Sequence, residues 1–188
     1  YQAENKAKYD AEDHLNHKKY KDKWAKEKIV IYTGPAWEKW NGSKVEEGMG
    51  GSESWAHYLR QEFEKLGYDA RIYCDLYVPE HGYCDYKNIQ SDFEYDLVDY
   101  FISSRSCEIY KNTGMHIRNK YVMIHDIWLS NDPNYDTRHW DIKKFMCLSE
   151  WHKDFVKNHH KIPEEKLEIG RNGVYQSLYT KTPKKKNQ

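Results

Sequence analysis

Short β-branched apolar runs alternate with stretches whose apolar residues recur at helical spacing, and this alternation constrains the fold more than any other feature of the chain. Ile29-Val30-Ile31-Tyr32, closed by Thr33-Gly34-Pro35, reads as a buried strand running into a turn. Trp55, Tyr58, Leu59, Phe63 and Leu66 then share one helical face over residues 54–66. Gly67 supplies a C-terminal cap, and Ala70-Arg71-Ile72-Tyr73-Cys74 restarts a strand. The pattern repeats with strands over 96–103, 119–126 and 144–149, a short helix within 107–113 and a helix over 150–159. The 163–170 stretch adds a turn and a last short strand. Strands separated by helices require parallel crossovers, so the expected class is α/β: a Rossmann-like parallel sheet with helices on both faces.

Residues 1–27 differ. Lys, Glu, Asp, Ala and His dominate them, and Tyr9, Leu15, Tyr20 and Trp24 fall at intervals that suit a weakly amphipathic helix. A helical lead-in or linker is expected over 1–27, the Rossmann-like domain over 28–175, and a polar linker ending in a lysine run over 176–188. The opening Tyr1, without an initiator Met, suggests a piece of a longer polypeptide.

Composition narrows the function classes. The 17 Tyr and 7 Trp bring enough ring area for a core despite 32% charged residues. Thirty basic and 30 acidic side chains are interspersed, so no field of one sign draws the chain to nucleic acid or anionic lipid, and no nucleic-acid partner is expected. Cys74, Cys107 and Cys147, with Cys84, form no CxxC pair, which predicts reduced, buried thiols. The scattered histidines supply no ligand set, so no metal and no bound cofactor are expected. No apolar run approaches the roughly 20 residues that cross a bilayer. These readings together predict no transmembrane segment and a cytoplasmic setting.

Three features carry chemistry. In Gly48-Met49-Gly50-Gly51-Ser52-Glu53 the glycines precede Ser52 and Glu53 at the start of the first helix, where glycines admit close backbone approach and a helix N-terminus favours phosphate. The same loop also reads as a flexible connection capped by Ser52, and its spacing is neither GxGxxG nor a P-loop. His125-Asp126 follows an apolar strand and so falls at its carboxyl end, where open α/β sheets bind ligands. There His125 can donate to a sugar hydroxyl or act as a base, and Asp126 can orient it; a turn-forming Asp beside a structural His reads equally well. Trp128 is a candidate for stacking on a sugar. In Leu148-Ser149-Glu150-Trp151-His152, Ser149 is a candidate N-cap or substrate contact, without the GxSxG elbow of a nucleophile.

In this order, Gly50-Gly51-Ser52-Glu53, His125-Asp126, Ser149 and Asn172-Gly173 resemble the N-terminal half of the GT-B glycosyltransferases of the retaining group 1, or family 4. The resemblance covers about residues 28–174. It implies a nucleotide-sugar donor as co-substrate, a glycan or other acceptor, and an acceptor-side role for this domain. It places His125 and Asp126 at the reacting sugar as catalytic residues. Gly50, Gly51, Ser52, Glu53, Trp128 and Ser149 become substrate contacts. It also implies a C-terminal GT-B donor domain on the same polypeptide, since most nucleotide contacts of that family lie there, and little transfer by this half alone. A glycan- or protein-binding module on the same fold, or a GT-B-like epimerase or phosphorylase, remains open.

Overall fold

The computed structural model describes residues 26–36, 38–45, 47–76, 86–88, 97–112, 116–129 and 141–173. Among the described residues seven strands form one sheet: β1 (Lys28–Gly34), β2 (Asp69–Cys74), β3 (Tyr86–Asn88), β4 (Leu97–Ser104), β5 (His116–Met123), β6 (Ile142–Cys147) and β7 (Leu167–Ile169). Their order is β3-β2-β1-β4-β5-β6-β7, and every pairing is parallel. The α-helices among the described residues are α1 (Gly51–Lys65), α2 (Ile109–Asn112) and α3 (Glu150–His160). The chain winds outward from β1 on one side and from β4 on the other. Their boundary is therefore a topological switch point, where such sheets bind ligands beyond their carboxyl ends.

Side chains alternate between the two faces. Ile29, Ile31, Ala70 and Ile72 pack with Ala56 of α1. Val30 and Phe101 face α2 through Tyr110, while Val122, Phe145, Cys147 and Leu167 pack with Val156 of α3. α1 joins β1 to β2 and α3 joins β6 to β7, in opposite directions across the sheet, so right-handed crossovers put them on opposite faces. The expected class, helices on both faces of a parallel sheet, is the one adopted. Strand β1 is buried from both sides, with Ile29, Val30 and Ile31 at most 2% exposed, which is why it reads as a continuous apolar run. On the α1 face, Tyr121, Met123 and Met146 line an apolar cleft of about 380 Å³ together with Trp55 and Phe63.

The helix ends are set by local chemistry. After α1, Gly67 takes φ 96°; its N–H donates to Glu64 at 2.9 Å and Tyr68 donates to Phe63 at 3.0 Å. This is a Schellman motif, closed by Phe63 packing edge-on against Tyr68.

Several boundaries move. α1 begins at Gly51, so Gly51 joins Ser52 and Glu53 in its first turn instead of ending the preceding loop. β5 ends at Met123, which leaves His125 and Asp126 in the turn beyond it. β3 stands alone among residues 77–96, the rest of which lie outside the described residues. So do residues 1–25 of the lead-in and everything from 174 onward.

Candidate functional site

The loop from β1 to α1 is anchored on β2. Trp40 N–H donates to Asp75 at 2.9 Å, and buried Asn41 accepts from Ser43 N–H and Oγ at 2.9 and 2.7 Å. Between this loop and α1 lies a cleft of about 480 Å³ lined by Trp40, Lys44, Met49, Gly50 and Glu53 among others. Gly50 is the N-cap of α1 and offers no side-chain cap. Glu53 folds back toward it: Ser52 Oγ donates to Glu53 Oε2 at 2.9 Å, and a Cβ on Gly50 would lie 2.1 Å from that same oxygen. The missing side chain at Gly50 is what admits the carboxylate. The positive end of α1 is thus already met by a negative group of its own first turn.

The ends of β4 and β5 supply the remaining groups. Ser103 Oγ donates to the Ser106 carbonyl, and Ser104 Oγ is buried with no partner among the described residues. Arg105 follows with φ 63°, the left-handed region, at a cost of about 1–2 kcal/mol for a side-chain-bearing residue. Its N–H donates to Met123 at 2.9 Å, and its guanidinium reaches Ser52 Oγ, Asp126 Oδ2 at 3.4 Å and Glu53 Oε1 at 3.8 Å. Arg105 therefore ties the first turn of α1 to the turn after β5, across the switch point. Sequence reading missed it. The polar Ser103-Ser104-Arg105-Ser106 run at a strand's carboxyl end was the available signal.

His125 lies edge-on to Trp55, with ring centroids 4.8 Å apart. Its Nε2 is buried without a partner among the described residues. Burial first, and the Arg105 guanidinium second, push its pKa down to about 4, against the opposing pull of Asp126 and Glu53. The imidazole is neutral at pH 7, and the site holds one guanidinium against two carboxylates. Such a set offers donors and acceptors to hydroxyls. A diphosphate at α1 would have to displace Glu53 first.

The turn that carries Asp126 is braced from α3. Leu148 N–H donates to His152 Nδ1 at 3.2 Å, which leaves the proton on Nε2 to donate to the Asp126 carbonyl at 2.9 Å. Ser149 Oγ caps α3 by accepting from His152 N–H at 3.2 Å. Ser52, Glu53 and Asp126 thus gather around Arg105 with His125 close by, Gly50 packs against Glu53, Gly51 faces open space, and Ser149 and Trp128 lie on the α3 side of the same edge. Buried Cys74 and Cys147 have thiols pushed up by burial to about 12 and about 11, too high for a nucleophile. Among the described residues no group of three His, Cys, Asp or Glu could hold a metal ion, and no helix is long and apolar enough to cross a membrane. No family model, no curated protein and no solved structure matches the chain, so the geometry of this edge carries the functional argument.

Proposed function

We infer that this chain is the acceptor-side domain of a nucleotide-sugar-dependent glycosyltransferase. The observation that carries the reading is the Arg105 bridge: a guanidinium held between Ser52, Glu53 and Asp126 at the switch point, with a neutral His125 alongside whose Nε2 is unengaged. In this reading Glu53 and Asp126 accept hydrogen bonds from hydroxyls of the acceptor or the transferred sugar, and Arg105 donates. His125, neutral and half-buried, donates to a sugar hydroxyl or stabilises charge that develops at the reacting centre. It need not remove a proton in a retaining reaction. The donor diphosphate is held chiefly by a second domain, since Glu53 occupies the end of α1. The free, buried thiols of Cys74, Cys107 and Cys147 suit a cytoplasmic enzyme.

The test is transfer by the full-length protein from a panel of nucleotide sugars. Activity is expected, with losses in His125→Ala and Arg105→Gly. Activity unchanged by both substitutions would refute the site assignment. Absence of transfer with every donor, together with retained glycan binding, would favour a non-catalytic binding module.

A further inference from the structure

Trp128 is 60% exposed and Trp151 is 67% exposed, although rings of that size ordinarily bury most of their area. The two belong to one ladder of rings. Trp151 stacks on Phe155 with centroids 5.7 Å apart and planes at 25°, and Phe155 stacks on His159 at 5.1 Å and 18°. His159 then meets Trp128 edge-on at 5.7 Å. Trp151, Phe155 and His159 recur every fourth residue and so form a stripe along α3.

The turn that carries Trp128 is held from the same helix. His152 Nε2 donates to the Asp126 carbonyl at 2.9 Å, and His160 Nε2 lies 2.8 Å from the Ile127 carbonyl. Two imidazoles therefore fix two successive carbonyls immediately ahead of an exposed indole. This arrangement holds an aromatic surface in place before any ligand arrives, which lowers the ordering cost of binding. Within α3, Glu150 and Asp154 offset Lys153 and Lys157, so the stripe presents no field of one sign to select a polyanion or an anionic membrane. Asp126, paired with Arg105, precedes Trp128 by two residues on the same turn, and His159 brings two ring nitrogens into the ladder itself. Flat rings with hydrogen-bonding nitrogens among them match a pyranose, with its apolar C–H face and its rim of hydroxyls.

We propose that the Trp128, His159, Phe155 and Trp151 ladder is a stacking platform for a neutral pyranose unit of the acceptor glycan, alongside the turn that carries Asp126 and Trp128. The proposal rests on the acceptor-side reading above and names the class of acceptor. It is tested by titrating the full-length protein with maltohexaose, cellohexaose and mannohexaose while following the tryptophan indole N–H resonances. Saturable shifts of the Trp128 and Trp151 signals are expected with at least one of the three sugars. Trp128→Ala and Trp151→Ala should each weaken binding about tenfold or more, and Trp128→Phe, which keeps a ring, should recover most of it. No saturable shift with any of the three, or binding that survives both alanine variants, overturns the platform. So does tryptophan-dependent binding to phosphatidylserine vesicles in place of glycans. The two readings fail separately. Transfer with an acceptor KM unmoved in the alanine variants ends the platform alone; saturable glycan binding without transfer ends the enzyme reading alone.

Discussion

The longer helices α1 and α3 both begin at the carboxyl edge of the sheet, and their first turns are built in opposite ways. At α3, Ser149 caps the helix through His152 N–H, and the His152 ring bonds Leu148 N–H and the Asp126 carbonyl, so both its ring nitrogens are engaged. At α1, the N-cap is a glycine without a side-chain cap, and Ser52 and Glu53 are tied to an arginine from a distant strand. Beside it, Ser104 Oγ and His125 Nε2 are buried without partners among the described residues. An unpartnered buried polar group costs about 1–3 kcal/mol. α3 therefore starts in a way that serves the fold, while the start of α1 leaves groups available to a ligand.

Breaking the α1 side should have the largest effect on transfer. Arg105→Gly removes the bridging guanidinium and places glycine where φ is 63°, a conformation glycine adopts freely. Transfer should fall by about two to three orders of magnitude, as when one preorganised donor is lost, with the melting temperature unchanged or raised. Steady-state kinetics and thermal unfolding check both halves. A lower melting temperature with unchanged kcat/KM would make Arg105 a strut of the fold.

His125 gives the next largest effect, read as stability against pH. Its pKa is lowered from the ordinary 6.5 to about 4. The unfolded chain therefore takes up the proton at a higher pH than the folded one. The contribution is fully present above about pH 6.5, is lost as pH falls toward 4, and levels off below that. The shift corresponds to about 3 kcal/mol, which partial exposure reduces to about 2 kcal/mol. His125→Gln should flatten the fall in melting temperature between pH 7 and pH 4. Equal slopes in the two proteins would contradict the neutral, buried imidazole.

Gly50→Ala tests the folded-back carboxylate. The new Cβ would collide with Glu53 Oε2, the far end of a flexible side chain, so the fold should survive while Glu53 swings away. We expect about a tenfold loss in kcat/KM, in line with displacement of a positioned group. Ser149→Ala should instead cost about 1 kcal/mol of stability, a fall of about 2–4 °C in melting temperature, with transfer changed little at temperatures where the fold is intact. A loss of transfer larger than the loss of stability would return the Ser149 hydroxyl to the substrate site.

What could be read in advance follows the range of the interactions involved. β1 was legible because both its faces are buried, which imposes a continuous apolar run on Ile29, Val30 and Ile31. The end of α1 was legible because Gly67 is a local signal at a left-handed position. Its start was not: two glycines at Gly50 and Gly51 carry poor helix propensity, and the first turn is fixed by contacts beyond the local sequence. The short edge strand β3 has only Tyr86, Lys87 and Asn88, too few residues for a period to show. His125 and Asp126 could be placed at a strand's carboxyl end from pattern alone. Arg105 could not be joined to them, because its bond to Ser52 spans 53 residues and depends on the order of the strands.

The contrast between the two helix starts is sharpest at Gly51, where the expected effect is smallest. Gly51 is exposed, lies first in α1, and a Cβ built on it meets nothing within 4 Å. Its φ is not in the left-handed region, so the backbone places no demand for glycine. Glycine in a helix costs roughly 0.5–1 kcal/mol relative to alanine, so Gly51→Ala should raise stability by about 0.5 kcal/mol at this terminal position. A glycine that fills no steric need inside the domain leaves its backbone open to approach from outside. If transfer falls in Gly51→Ala while the melting temperature rises, the space beside Gly51 belongs to a ligand. If activity is retained along with the gain in stability, that space is ordinary solvent, and the ligand contacts at α1 begin at Ser52.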